Sequence, residues 1–133
     1  MSRASKQKGW RWEHVVLLYL SGALQRVLRR GGLQGALDQG DILGVPDWTI
    51  QCKDAKAWSL APWWEATNKQ RQNGGTRWAV MYLKRWGKTD PALGWAVMPI
   101  AEHVALVQYV SKLEREVEGE NEPRDEGEGQ EAS

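Results

Sequence analysis

A chain of 133 residues is long enough for one domain with one buried core and too short for two. Its single cysteine, Cys52, excludes an intramolecular disulfide and a cysteine-based zinc site. No apolar run reaches the length of a membrane span, and the N-terminus lacks a signal-peptide cleavage pattern. We therefore expect an intracellular protein with no membrane partner.

The formal net charge of +1 hides two regions of opposite sign. Residues 1–113 hold 16 Lys and Arg against 8 Asp and Glu, whereas residues 114–133 hold 2 against 9. A basic domain suits a polyanionic partner, and an acidic tail can compete for the same surface or keep the protein soluble. We expect residues 118–133 to be an acidic disordered tail, because they are too poor in apolar side chains to form a core.

The first element is predicted to be a helix that follows a flexible basic arm at residues 1–8. The helix should begin near Gly9 or Trp10 and end near Ser21 and Gly22, with enough apolar residues to lie buried against a sheet. Glu13 then stands near its N-terminus, where a carboxylate suits the helix dipole as well as an active-site role.

Residues 23–30 fit either a helical turn or a strand, since periodicity does not decide so short a run. Gly31, Gly32, Gly35 and Gly40 follow. Such a glycine-rich segment either forms turns or lets a nucleic-acid backbone approach closely.

Residues 40–53 are predicted to form a hairpin: a short strand with Asp41, a turn at residues 45–47, and a second strand to Cys52. Because side chains alternate across a strand, Gln51 and Lys53 should share one face, while Ile50 and Cys52 point into the core. An acid and an oxygen ligand two residues before a lysine form a constellation that can hold a divalent metal against a phosphodiester.

The second half of the chain should supply a helix at 62–73, a strand at 77–83 and a strand at 94–98. A final amphipathic helix at 100–117 places Val104, Val107, Val110 and Leu113 on its apolar side. The order of elements predicts an α/β fold with a mixed central sheet flanked by helices.

Asp41, the run from Ile50 to Lys53, and a helix and strand ending in Lys84 and Arg85 resemble the PD-(D/E)XK nuclease superfamily. Within it, the chain is most similar to small Holliday-junction-resolvase-like proteins of the kind that phages encode. The resemblance covers roughly residues 6–110 and implies a restriction-endonuclease-like core within a domain at 9–117. It also implies Mg²⁺ or Mn²⁺ as cofactor and the cytoplasm of a bacterium or phage-infected cell as location.

The resemblance implies a role for each matching residue. Asp41 and Gln51 would ligate the metal, the carbonyl of Cys52 would lie between them as a backbone ligand, and Lys53 would orient or activate the attacking water. Glu13 resembles the first-helix glutamate of resolvase-like members.

Two positions depart from the pattern. Gln51 stands where an acid is usual, and its amide oxygen brings no negative charge, although Mrr-type members of the superfamily use Gln-X-Lys. Asp47 follows a proline, as the metal-binding aspartate does in VRR-type nuclease domains, but four residues before Gln51 it fits a turn better.

Eight basic residues are predicted to contact DNA phosphates: Lys8, Arg11, Lys56, Lys69, Arg71, Lys84, Arg85 and Lys88. A resolvase cuts two strands symmetrically, which implies a homodimer, with Trp78 or Trp95 as candidate interface residues. We therefore expect a metal-dependent endonuclease acting on branched DNA in recombination, repair or phage DNA processing. The alternatives are a VRR- or Mrr-like nuclease with another DNA substrate, a non-catalytic DNA-binding module, and a protein-interaction scaffold.

Overall fold

The computed structural model describes residues 3–34 and 37–121. The chain divides into two compact units, residues 1–99 and residues 100–133. The described residues form three α-helices, α1 (Arg3–Leu24) and α2 (Leu60–Gly74) in the first unit and α3 (Ile100–Asn121) in the second, and one short 3-10 helix at Pro91–Leu93. None of the described helices is both long and apolar enough to cross a membrane.

A five-stranded mixed sheet forms the centre of the first unit, as predicted. Its strands are β1 (Arg29–Arg30), β4 (Ile42–Leu43), β5 (Trp48–Lys53), β6 (Trp78–Leu83) and β7 (Trp95–Val97), in that spatial order. β5 and β6 run parallel, and the other neighbours are antiparallel. A separate two-residue ladder joins β2 (Leu33–Gln34) to β3 (Leu37–Asp38).

Helix α1 is longer than the sequence suggested at both ends. It begins at Arg3 rather than near Gly9, because the intervening residues are mostly good helix formers. It passes through Gly22 and ends where Gln25 takes a left-handed conformation, with φ of 51°. The N–H of Arg26 then donates to the carbonyl of Ser21 at 3.2 Å, which closes the helix end.

The ambiguous stretch 23–30 resolves into the end of α1 and the edge strand β1. The predicted hairpin is present as β4 and β5, with Ile42 opposite Ile50, but Asp41 lies just before β4 rather than within it. Its turn closes where the N–H of Trp48 donates to the carbonyl of Val45 at 3.2 Å.

Helix α2 and the strand after it agree with the predicted order. α2 ends at Gly74, and Gly75 takes φ of 68° while its N–H donates to the carbonyl of Arg71 at 2.8 Å. As the crossover between parallel β5 and β6, α2 packs against both strands.

The main core lies between α1 and the sheet, where Trp12, Val16 and Leu20 meet Ile50 and Cys52. Trp12 also donates its indole N–H to the carbonyl of Tyr82 at 3.0 Å. Helix α1 therefore covers one face of β5, while α2 packs on β5 and β6.

Helix α3 extends to Asn121, four residues beyond the predicted end at Val117, so residues 118–121 of the predicted tail are helical. Residues 122–133 lie outside the described part of the chain. None of the residues of α3 is buried.

Candidate metal centre and basic surface

Asp41 is fixed by the strand that follows it along the hairpin. Its backbone N–H donates to the carbonyl of Ile50 at 2.9 Å, and its Oδ2 accepts from the N–H of Cys52 at 2.8 Å. Because β4 runs antiparallel to β5, the residue before β4 lies beside the last residues of β5. The carboxylate therefore stands at the carboxyl end of β5, as the proposed metal role requires.

Gln51 and Lys53 share one face of β5, because Ile50 and Cys52, which alternate with them, are buried in the core. Gln51 places its side-chain Oε1 out of contact with water and without a hydrogen-bond partner among the described residues. A buried amide oxygen left without a partner costs about 1–3 kcal/mol. Gln70 Oε1 on α2 is in the same state, so the Gln51 oxygen is available to a cation or a hydrogen-bond donor without identifying either.

Lys53 extends toward α2, where its Nζ lies 5.5 Å from the centre of the Trp63 ring. The aromatic face attracts the ammonium group and limits where it can move. The ammonium also acts on Asp41, since it lowers the pKa of that carboxyl against the larger effect of burial.

The backbone of Cys52 points its N–H to Asp41, and in a strand the carbonyl of the same residue points to the same side. The carbonyl is thus directed past the start of β4, next to the carboxylate. The thiol is in the core, and burial, followed by the charges of Asp41 and Glu13, raises its pKa well above the ordinary value. Cys52 is therefore a core residue, and only its backbone faces the candidate site.

Burial raises the pKa of Asp41 from 3.8 to about 7. Burial is the largest contribution to this net value; the carboxylates of Glu13 and Asp38 also raise the pKa, whereas the Cys52 N–H and Lys53 lower it. A carboxyl whose pKa lies close to 7 can exchange its proton for a metal ion near neutral pH.

Glu13 lies in the middle of α1, so its interpretation as a helix-dipole residue was wrong: the helix begins at Arg3. Its carboxylate forms an ion pair with Arg30 of β1, and the Arg30 guanidinium also lies 4.9 Å from the centre of the Trp10 ring. Glu13 is near enough to Asp41 to raise its pKa, yet its carboxylate is held by an arginine.

Asp47 is held away from the candidate centre. It lies at the other end of β5, in the left-handed region with φ of 69°. Its carboxylate accepts from the backbone N–H of Arg77 at 3.1 Å and pairs with that side chain at 3.5 Å. The structure therefore agrees with the interpretation of Asp47 as a turn residue.

Two further residues support the site: Asp38, which was not found from the sequence, and Gly31, which was expected only as part of a glycine-rich segment. Asp38 accepts from Gly40 N–H at 3.0 Å and from Gln70 Nε2 at 2.8 Å, which ties the loop before Asp41 to α2. Gly31 donates to the backbone carbonyl of Asp41 at 2.7 Å. A Cβ on Gly31 would stand 1.8 Å from the Gly40 carbonyl oxygen. This glycine lets the protein's own backbone approach closely.

Five of the eight predicted DNA-contacting residues are exposed, and three are half-buried. Lys8 and Lys84 share one carboxylate, that of Asp54, at 3.4 Å and 3.8 Å. Asp54 directly follows Lys53, so this cationic group lies beside the end of β5. The predicted residues of this region are Lys8, Arg11, Lys56, Lys84, Arg85 and Lys88.

The remaining two predicted contacts belong to α2. Arg71, near the end of α2, hydrogen-bonds Asn68 and lies 5.6 Å from the centre of the Trp64 ring. It also donates to the carbonyl of Arg77, which precedes β6, at 3.4 Å. Arg71 therefore lies at the amino end of β6, opposite the candidate centre, and Lys69 precedes it by half a turn.

A divalent cation would find one carboxylate, one amide oxygen and one backbone carbonyl: Asp41, Gln51 Oε1 and Cys52 O. These are the oxygen donors that Mg²⁺ accepts, and Mg²⁺ also retains several waters. Within residues 3–34 and 37–121, no group of three or more His, Cys, Asp or Glu could hold a metal ion. The residues thus fit a weakly held hard cation, with the orphaned Gln51 oxygen as the observation that supports the fit.

Comparison of the chain with protein-family models, with characterised proteins and with solved structures finds no match.

Proposed function

We propose that the protein is a metal-dependent endonuclease of the PD-(D/E)XK kind that acts on branched DNA. The buried, unpartnered Oε1 of Gln51 carries the proposal. It lies on the strand whose backbone holds Asp41 and whose next residue on that face is Lys53. A carboxylate, a spare oxygen and an ammonium group at one strand end are the parts that phosphodiester hydrolysis needs.

Asp41, Gln51 and the Cys52 carbonyl would hold the cation in this mechanism. The cation, when bound, would polarise the scissile phosphate and offset the negative charge that grows in the transition state. Lys53, steadied over Trp63, donates a hydrogen bond to the attacking water and keeps it close to the phosphate. The pair of Glu13 and Arg30 forms a charged boundary to the site on the α1 side.

The DNA backbone would lie across the cationic region at the carboxyl ends of β5 and β6. Lysines and arginines there neutralise phosphates and set the register of the duplex without reading its sequence. Lys69 and Arg71, on α2 near the amino end of β6, would contribute only if the DNA extended along that helix.

A second copy of this chain is the proposed partner of α3. Trp78, one interface candidate, is 7% exposed and lies 6.2 Å from Trp48 by ring centres, so it is a core residue. α3 instead exposes apolar side chains at alternate spacings of four and three residues, the repeat of a coiled coil. The stripe consists of Leu106, which is half-buried, and of Val110, Leu113 and Val117, which are exposed.

The residue types on this stripe favour two parallel strands. Valine at the first core position of a heptad with leucine at the second is the pattern of parallel dimers. A parallel pairing also places Tyr109 against Glu114, and Glu116 against Asn121, so it brings no like charges together. A parallel pair of α3 helices would give the two-fold symmetry that paired cutting requires.

Cleavage of a labelled four-way junction and of a linear duplex tests the proposal, with Mg²⁺, Mn²⁺ or EDTA. We expect paired, metal-dependent nicks in the junction, abolished by Asp41→Ala and retained by Asp47→Ala. Lys53→Ala should lower the rate at least about 100-fold while metal binding persists. Full cleavage by Asp41→Ala would remove the basis of the assignment.

A second function, a non-catalytic DNA-binding module, is favoured by one observation. The described residues offer no cluster of three acids or other strong metal ligands, and Gln51 adds no charge. Junction binding that is equal in Mg²⁺ and EDTA, with no cutting in either metal, would support this module over the nuclease.

A further inference from the structure

The most exposed tryptophan of the chain lies in the cationic region, at the tip of a tight turn. Trp86 is 75% exposed, far more than the other tryptophans with large exposure, which range from 44% to 51%. Leaving so large an apolar surface in water is unfavourable, unless a partner covers it.

The backbone conformation of a four-residue turn, Arg85 to Lys88, presents Trp86 to solvent. The N–H of Lys88 donates to the carbonyl of Arg85 at 3.1 Å, and Gly87 takes φ of 74°. Glycine at the third position of a four-residue turn is the requirement of type II, which leaves Trp86 at the second position. The indole is therefore presented by a defined turn that immediately follows β6.

A small cavity of about 200 Å³ lies beside the indole and is rich in cations. Lys8, Lys56 and Lys84 line it together with Asp54 and Gly87. Asp54 has a side chain that is only 8% exposed, and it holds both Lys8 and Lys84. Three lysines against one aspartate leave a formal charge of +2, which suits an anion.

Lys56 adds a further link between the aromatic and the cationic parts, because its Nζ lies 6.0 Å from the centre of the Trp86 ring. The cavity lies close to the candidate metal centre, because two of the residues that line it are joined directly to Lys53. Asp54 follows Lys53, and the N–H of Lys84 donates to the Lys53 carbonyl at 2.9 Å. A ligand bound here would thus lie next to the phosphate that Lys53 serves.

We propose that Trp86 and the cavity lined by Lys8, Lys56 and Lys84 bind an unpaired nucleotide of the DNA substrate. The base stacks on the indole, and its phosphate lies against the lysines. Stacking on an aromatic side chain requires a base that is out of the duplex, whereas phosphate contacts alone do not. The inference deepens the proposed function, on which it rests for the choice of DNA, and it defines the substrate class as DNA with an unpaired base near the cut.

Fluorescence anisotropy with labelled DNA in EDTA tests the site without cleavage. The probes are a twelve-nucleotide thymidine strand, the same strand with abasic positions, and a duplex of equal length. Trp86→Ala should weaken binding of the thymidine strand about 5- to 100-fold, the range that stacking of one base supplies. Trp86→Phe should recover most of this loss, because it restores an aromatic face.

The abasic strand and the duplex should bind Trp86→Ala within about 2-fold of wild type, since they offer phosphates but no free base. Trp64→Ala is the matched control, because Trp64 also lies under a cation but belongs to α2. It should leave all three affinities unchanged. Unchanged melting of Trp86→Ala is expected from the exposure of the side chain.

Equal loss on all three probes, or no loss on the thymidine strand, would overturn the inference. The cleavage assay keeps the two proposals separate. Junction cutting together with normal binding of the thymidine strand by Trp86→Ala would reject the nucleotide site alone. Base-dependent binding in a protein that never cuts would reject the nuclease and keep the site.

Discussion

Asp41 shows at the scale of one residue how burial prepares a group for chemistry. A carboxyl with a raised pKa in the folded state adds stability while it stays protonated. That contribution is complete below pH 3.8 and is lost as the pH rises to about 7, where folded Asp41 ionises. Above neutrality the protein therefore keeps a buried charge that the Cys52 N–H and Lys53 offset only in part.

Asp41→Asn should accordingly raise the free energy of unfolding at pH 8 by about 4 kcal/mol in EDTA, and by less than about 1 kcal/mol at pH 4. Asparagine keeps an oxygen for the Cys52 N–H but never ionises. Urea unfolding at both pH values measures the difference, with Asp47→Asn as the exposed control. A gain at pH 4 equal to that at pH 8 would contradict the assigned cause.

Gln51 gives a second test on one residue. Gln51→Leu removes an oxygen without a partner, so the metal-free protein should be as stable as wild type or up to about 1 kcal/mol more stable. The same variant should lose the rise in melting temperature that Mn²⁺ gives to wild type. Thermal unfolding with and without Mn²⁺ measures both effects. A metal-free protein destabilised by more than about 1 kcal/mol would show that the amide oxygen has a structural partner.

Gln51→Glu makes the opposite change and should bind Mn²⁺ at least about 10-fold more tightly, because it adds a charge to the ligand set. Without metal, it should be less stable at pH 8, since a second carboxylate then lies close to Asp41. Isothermal titration with Mn²⁺ gives the affinity. Equal affinity of wild type and Gln51→Glu would place the cation elsewhere.

At the scale of elements, the loop after β1 supports the centre through its backbone. Gly31→Ala would drive a Cβ into the Gly40 carbonyl and shift Asp41. We expect it to cost about 2–3 kcal/mol and to abolish stabilisation by Mn²⁺. Gly32→Ala is the matched control, since a Cβ there meets nothing within 4 Å, and it should change stability by less than about 0.5 kcal/mol. Similar costs at both positions would show that the close approach at Gly31 is unimportant.

The candidate site contains features that the sequence predicts and features that it does not. Alternation in β5 placed Gln51 and Lys53 on one face, because a strand has a period of two that needs no tertiary information. The hairpin, α2 and β6 were predicted for similarly local reasons. The ion pair of Glu13 with Arg30 and the sharing of Asp54 by Lys8 and Lys84 were not, because each joins residues from different elements.

The end of α1 illustrates a different limit. Gly22 was the expected stop, but one glycine costs a helix only about 1 kcal/mol, and the core contacts of Val16 and Leu20 outweigh it. The left-handed conformation is adopted by Gln25, a residue with no special preference for it. Tertiary packing set this boundary.

For the whole molecule, a substitution in α3 tests whether the chain forms a dimer and whether the dimer is needed for paired cutting. Val110→Glu places a charge in the apolar stripe and should convert a dimer of the full chain into a monomer, measured by sedimentation velocity. Lys112→Gln changes the net charge by the same amount on the polar side of the helix and should stay dimeric. The monomer should still nick the junction, but its two cuts should lose their pairing, since each nick would need a separate encounter. A dimer that survives Val110→Glu would show that copies of this chain meet through another surface.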